Sequence, residues 1–196
     1  MAEDLRHPPA LVHSLCVSCF FLVFARQWTR LSPIAERAVR ISAAEGFRFW
    51  EPMARICLAL VEAQDGDRHG AIQRIIENMR QFRATGASIV MSQFEPALSE
   101  LLIESGDPAQ AVRRLSDTIV DAERRRERTY LPELYRVRAV ARNALGDQEN
   151  AEQDVRTALA VATAQWAAPL IHRAEETLRA FPAGARPVDR KATFRR

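Results

Sequence analysis

The chain lacks the features that mark membrane and secreted proteins. Its most apolar run, residues 11–25, has three polar interruptions and is short of the roughly 20 apolar residues that a helix needs to span a bilayer. Glu3 and Asp4 stand where a signal peptide would carry positive charge. The net charge of +3 is too small for the dense basic footprint of a nucleic-acid binder. We therefore expect a cytoplasmic protein with no membrane partner and no nucleic-acid partner.

Residues that carry chemistry are also scarce. The three cysteines are an odd number, which argues against a disulfide framework, and no second ligand pair follows the C-x-x-C of Cys16 and Cys19. Apolar neighbours instead predict that these cysteines pack in the core. The four histidines lie far apart, and no glycine-rich phosphate loop leads to Lys-Ser/Thr. The sequence thus predicts no catalytic residue, no metal site and no cofactor.

Glycine is rare as well, with seven in the chain, but its positions are regular. Gly66-Asp67, Gly106-Asp107 and Gly146-Asp147 follow one another at a constant spacing, since 106 − 66 and 146 − 106 both equal 40. An apolar ladder with steps of four begins five positions after each glycine, and a fourth copy lies one such period upstream. Such steps put side chains on one helical stripe, and a fixed period of this size indicates stacked repeats. The ladders are Leu31-Ala35-Val39, Ala71-Ile75-Met79, Ala111-Leu115-Ile119 and Ala151-Val155-Leu159.

No segment shows sustained period-two alternation, so the sequence predicts an all-α fold. Helix signals divide residues 1–181 into about nine helices, arranged as four helical hairpins and a C-terminal capping helix. Residues 182–196 are rich in proline and arginine, and we expect a disordered basic tail.

Three local expectations follow. The first helix should be well buried, because Leu11, Leu15, Cys19, Leu22, Phe20 and Phe24 cover most of its circumference. Trp28 and Ser32-Pro33 should mark the turn into the second helix. Arg126 and Trp166 replace the glycines found at 46 and 86, so we expect those two turns to close differently.

The turn and ladder at 106–115 and at 146–158 resemble the second half of a tetratricopeptide repeat. That resemblance implies a right-handed solenoid of helical hairpins, although the period of 40 is longer than the usual 34. It also implies that the first helix of each hairpin lines a concave groove that binds a protein or peptide. Counting back from the glycines gives seven groove candidates, and the capping helix adds Arg173. The seven are Gln64, Gln93, Glu100, Glu104, Glu133, Arg136 and Asn143.

Four stretches are similar to the C-terminal repeat region of bacterial class III adenylate/guanylate cyclases that also carry an ATPase module. They are His7-Pro8-Pro9, residues 44–50, residues 83–87, and residues 133–138 leading to Leu145-Gly146-Asp147. The chain has neither the paired metal-binding aspartates nor the phosphate loop of such enzymes. The resemblance therefore implies a catalytically silent regulatory region, and it transfers no catalytic residue.

The sequence leaves two main hypotheses for the function and a weaker third one. The chain is a scaffold for protein–protein or interdomain contacts in signalling, or it is part of a cyclase whose active domains lie outside it. A repeat domain of a transcriptional regulator is the third hypothesis. The arginines at 124–126, 128, 136, 138 and 142 form the densest basic patch, which we interpret as a solvated face with salt bridges rather than an anion site.

Overall fold

A computed structural model describes residues 7–87 and 91–181, and these residues form nine α-helices and no strand. The all-α prediction is therefore confirmed for this part of the chain, whereas the predicted tail lies outside it. The helices are α1 (Pro8–Phe24), α2 (Trp28–Glu45), α3 (Trp50–Gln64), α4 (Arg68–Ala84), α5 (Met91–Glu104), α6 (Pro108–Arg125), α7 (Leu131–Ala144), α8 (Gln148–Ala164) and α9 (Ala168–Ala180).

Consecutive helices pack against each other along the whole series. In addition, each odd-numbered helix contacts the next odd-numbered helix, from α1 through α3, α5 and α7 to α9. The odd-numbered helices thus make a continuous layer, and the even-numbered helices pack mainly on their neighbours in sequence.

A residue with positive φ stands at each of the eight junctions, and these residues recur at every twentieth position. They are Arg26, Gly46, Gly66, Gly86, Gly106, Arg126, Gly146 and Trp166. A residue in this conformation stops a helix, because it turns the chain away from the helical path. The period of 40 residues seen in the sequence therefore spans two junction intervals of 20 residues each.

The aspartate of the Gly-Asp pair begins the next helix. Asp67 and Asp107 are N-caps whose side chains accept hydrogen bonds from the backbone N–H groups of Gly70 (3.1 Å) and Gln110 (2.9 Å). Asp147 occupies the same place but bonds the side chain of Asn150 instead. The pair therefore combines a stop signal with a start signal.

The expectation that Arg126 and Trp166 close their turns differently is wrong. Both adopt positive φ, at 60° and 55°, as Gly46 does at 67°. At all three junctions this residue donates its N–H to the carbonyl three positions earlier, and the following residue donates to a carbonyl five positions earlier. The hydrogen bonds of the junction thus impose the left-handed conformation even without glycine, at a cost of roughly 1–2 kcal/mol per residue.

The predicted ladders lie on the core face, except that two of them turn partly away from it at their last residue. Leu31, Ala35 and the ladders of α4 and α6 are buried, but Val39 and Leu159 are only half-buried. Because a helix has 3.6 residues per turn, repeated steps of four leave the buried face. The stripe is completed at equivalent positions of successive hairpins, by Ser42, Phe82, Ala122 and Ala162, all of which are buried.

Two expectations about the first hairpin are also wrong. Helix α1 buries only the stripe Val12-Cys16-Cys19-Val23, and Phe21 is 71% exposed, because α1 is the first of the series and packs chiefly on α2 and α3. Helix α2 begins at Trp28 rather than after Pro33, which lies inside it. Proline removes one N–H from a helix, and α2 continues despite that loss.

We predict that Arg126→Gly stabilises the protein by about 0.5–1 kcal/mol, because glycine adopts positive φ without steric cost. The matched reverse change is Gly46→Arg, since a Cβ built on Gly46 meets nothing within 4 Å. That variant should lose about 1 kcal/mol from conformation alone. Urea unfolding of both measures the effect, and a loss of stability in Arg126→Gly would contradict the role given to the junction.

Candidate functional site

Four of the eight predicted groove residues meet around one carboxylate, that of Glu133. Arg136 donates two hydrogen bonds to it, at 2.9 Å from Nε and 2.7 Å from Nη2. The Nη1 of Arg173 donates a third, at 3.2 Å. The Nη2 of Arg136 also donates to Oε1 of Glu100 at 2.7 Å. These contacts join α5, α7 and α9 on the layer of odd-numbered helices.

Arg26, at the junction between α1 and α2, completes this group. Its Nη2 lies 2.5 Å from Oε1 of Glu100 and 3.8 Å from Oε1 of Glu133. We call Arg26, Glu100, Glu133, Arg136 and Arg173 the arginine–glutamate network. It contains three guanidinium groups and two carboxylates, so it keeps one unneutralised positive charge.

The network also holds the first helix against the last one. The Nη2 of Arg173 donates to the backbone carbonyl of Phe24 at 2.5 Å, and its guanidinium lies 4.8 Å from the centroid of the Phe24 ring. These two residues are 149 positions apart. The described helices therefore curve far enough to bring α1 to α9.

Burial and charge compete at Glu133, and charge prevails. Burial alone would raise the pKa of its carboxyl, but the hydrogen bonds and positive charge of Arg136, together with the charges of Arg173 and Arg26, lower that pKa below its ordinary value. At Arg136, burial would lower the pKa, and the bonds to Glu133 and Glu100 raise it instead. Both side chains are therefore charged in the folded protein at neutral pH.

The other four predicted residues do not join the network. Gln64 and Glu104 are exposed, Asn143 is half-buried, and Glu104 pairs with Arg68 at 3.2 Å. Gln93 is buried, and its Nε2 has no hydrogen-bond partner among the described residues. It borders a small cavity of about 30 Å³ that the network also lines. That volume is enough for a water molecule or two.

Sequence reasoning did not assign Arg26 to the site. The only available signal was the position of Arg26 in the repeat, one full period of 40 residues before Gly66. That position is a junction, and junctions lie near the ends of neighbouring helices. The arginine itself gave no reason to expect contacts with α5 and α7, which follow much later in the chain.

The basic patch is less solvated than expected. Arg124 does form an exposed pair with Asp121, at 2.6 Å. Arg138 and Arg142, however, both bond the buried carboxylate of Asp154, at 2.7 and 2.8 Å. Together with the buried Arg136, these two side chains link helices instead of facing water.

The three cysteines have the role that their surroundings predicted. Cys16, Cys19 and Cys57 are buried and unpaired, and they contribute to the core. Burial, helped by the nearby Cys19, raises the pKa of the Cys16 thiol to about 12. Among the described residues, no group of three or more His, Cys, Asp or Glu side chains could hold a metal ion.

The comparisons with known proteins leave the family open, because the chain matches no protein-family model and no curated protein. Within residues 7–87 and 91–181, none of the helices combines the length and the apolar character that a membrane crossing requires.

We predict that Glu133→Gln destabilises the protein by about 3 kcal/mol at pH 7, because it leaves Arg136 buried with an incomplete counter-charge. The pKa of Glu133 is lowered on folding, so its contribution is present above the ordinary value of about 4.3 and is lost as pH falls through the lower folded value. The difference between parent and variant should therefore shrink on acidification, as measured by urea unfolding at several pH values.

Glu104→Gln is the control, since it removes a carboxylate whose ion pair is exposed. It should cost less than about 1 kcal/mol. Equal losses for the two variants would show that the network does not stabilise the fold as a buried cluster.

Proposed function

We propose that the chain is a non-catalytic helical-repeat scaffold that docks a protein, a peptide or a neighbouring domain. The observation that carries this proposal is the junction residue with positive φ at every twentieth position, which divides the described helices into equivalent units. Equivalent units that bury their apolar faces on one another form extended surfaces, and such surfaces suit binding rather than chemistry.

In this proposal the nine helices are a right-handed, tetratricopeptide-like solenoid. Two observations support it. The odd-numbered helices pack on one another in order, as the inner helices of stacked hairpins do. Alanine also begins the buried stripe of α4, α6 and α8, at Ala71, Ala111 and Ala151, where a small side chain lets two helices approach closely.

We assign docking to the predicted residues that remain accessible. Gln64, Glu104 and Asn143 lie near the carboxyl ends of α3, α5 and α7, which pack side by side. We call these three residues the polar edge. Helix carboxyl ends carry partial negative charge, although junction N–H groups here bond several of the terminal carbonyls. A basic segment that supplies hydrogen-bond donors is the partner that suits this edge.

A cytoplasmic signalling context follows from the four stretches that are similar to cyclase–ATPase proteins. The last of these stretches contains Glu133 and Arg136, two members of the arginine–glutamate network. A regulatory region of a cyclase is therefore our second candidate function. In that case the docked partner would be a catalytic domain of the same protein.

Photo-crosslinking tests the docking proposal. A benzoylphenylalanine at Gln64 should give one discrete protein adduct in cells of the native organism, and Glu104→Lys should abolish it by reversing the charge of the polar edge. Gln73 is the matched control position, because it is an exposed glutamine on the even-numbered helix α4. Identical adducts at Gln64 and Gln73 would overturn the assignment.

Catalysis by the chain itself is tested separately. The purified protein, incubated with ATP or GTP and Mg²⁺ or Mn²⁺, should form no cyclic nucleotide above a mock preparation. Product that co-purifies with the chain and disappears on its immunodepletion would make it an enzyme, contrary to the proposal.

A further inference from the structure

An apolar groove of about 680 Å³ lies between the first helix and the late junctions. One wall is the face of α1 that carries Phe20, Phe21 and Phe24, and the other includes Tyr130 and Leu170. We call this cavity the aromatic groove. Its volume falls within the range of ligand sites and its lining is mainly apolar, with Arg128 among its few polar residues.

Trp166 stands directly beside the aromatic groove. Its neighbours Gln165 and Ala167 line the groove, while Trp166 itself is 91% exposed. Its φ of 55° is a conformation that bulky residues rarely adopt. Of the five junctions that directly precede it, four carry glycine. The protein thus presents a large indole from a strained position with little contact to the rest of the described chain.

We propose that two copies of this chain associate around a two-fold axis, each inserting Trp166 into the aromatic groove of the other. A two-fold interface requires a surface that complements itself, and a projecting indole beside a matching cavity meets that requirement. Arg128 lines the groove, so in this arrangement its cationic side chain would lie near the inserted indole, a favourable pairing.

The surface area that the two copies can bury limits the affinity of this dimer. An aromatic side chain buries about 150–250 Å². Two indoles and the two groove surfaces that they cover amount to roughly 600–1,000 Å², which is below the usual range of stable complexes and within that of weak, transient ones. We therefore expect a reversible dimer with a dissociation constant on the order of 10 μM, rather than an obligate one.

Sedimentation equilibrium of the full chain between about 1 and 200 μM tests the proposal, since this range brackets the expected dissociation constant. The parent should pass from monomer to dimer, and Trp166→Gly should raise the dissociation constant at least tenfold. Glycine relieves the strained junction, so the denaturant midpoint of the dilute, monomeric Trp166→Gly variant should be no lower than that of the parent. Loss of association together with retained stability cannot result from misfolding.

A mixing experiment tests the reciprocal geometry. Phe21→Glu should also abolish self-association, because it puts a charge in the groove at an exposed position, whereas Val120→Glu, at an exposed apolar position of α6, should not. Trp166→Gly keeps the groove and Phe21→Glu keeps the indole, so a mixture of the two should regain one of the two contacts and associate more tightly than either variant alone, though more weakly than the parent.

Three outcomes would overturn the proposal. They are a parent that stays monomeric throughout the concentration range, a Trp166→Gly variant that dimerises like the parent, and growth beyond the dimer. A mixture that associates no more tightly than either variant alone would also contradict reciprocal insertion. None of these results bears on docking at the polar edge, which is tested at Gln64.

Discussion

The structure depends on the interruption of helical backbone at every twentieth position. Each interruption turns the chain through a residue with positive φ, and helices of 13–18 residues fill the intervals. Because the interval is constant, equivalent residues of successive hairpins point in equivalent directions. Ser42, Phe82, Ala122 and Ala162 are all buried for this reason. A change in the length of one interval would rotate the next apolar stripe away from the core. The length of each helix therefore limits which of its residues can be buried.

The arginine–glutamate network acts on a longer scale. The helices pack mainly on their neighbours in the series, and such contacts alone leave its curvature weakly determined. Ion pairs between distant parts of the chain restrict that curvature, since the buried carboxylate of Glu133 is costly without its partners. Arg26 and Arg173 tie the first hairpin to α5, α7 and the end of the series. The polar residues predicted to line an open groove are thus divided between internal ion pairs and an accessible edge.

Local signals explain what the sequence could predict. Gly-Asp pairs end and begin helices through backbone geometry and capping, so three of the eight junctions followed from them, and Gly46 and Gly86 marked two more. The failures have physical causes too. Proline usually interrupts a helix, yet α2 continues through Pro33. At Arg126 and Trp166 the hydrogen bonds of the junction override the preference of a residue for negative φ. Contacts of Arg26 with Glu100 depend on curvature, which no local pattern encodes.

The three junctions without glycine show how strain can be offset. Arg26 bears the same unfavourable φ as Trp166, and its guanidinium gains an ion pair with Glu100 in return. A residue held in such a conformation persists when interactions elsewhere compensate for it. The junction hydrogen bonds offset the φ of Trp166 as well, but its indole is nearly all exposed and gains little contact within the described chain. The side chain of Arg26 thus joins an internal network, whereas the side chain of Trp166 is the part of its junction that the proposed dimer would bury.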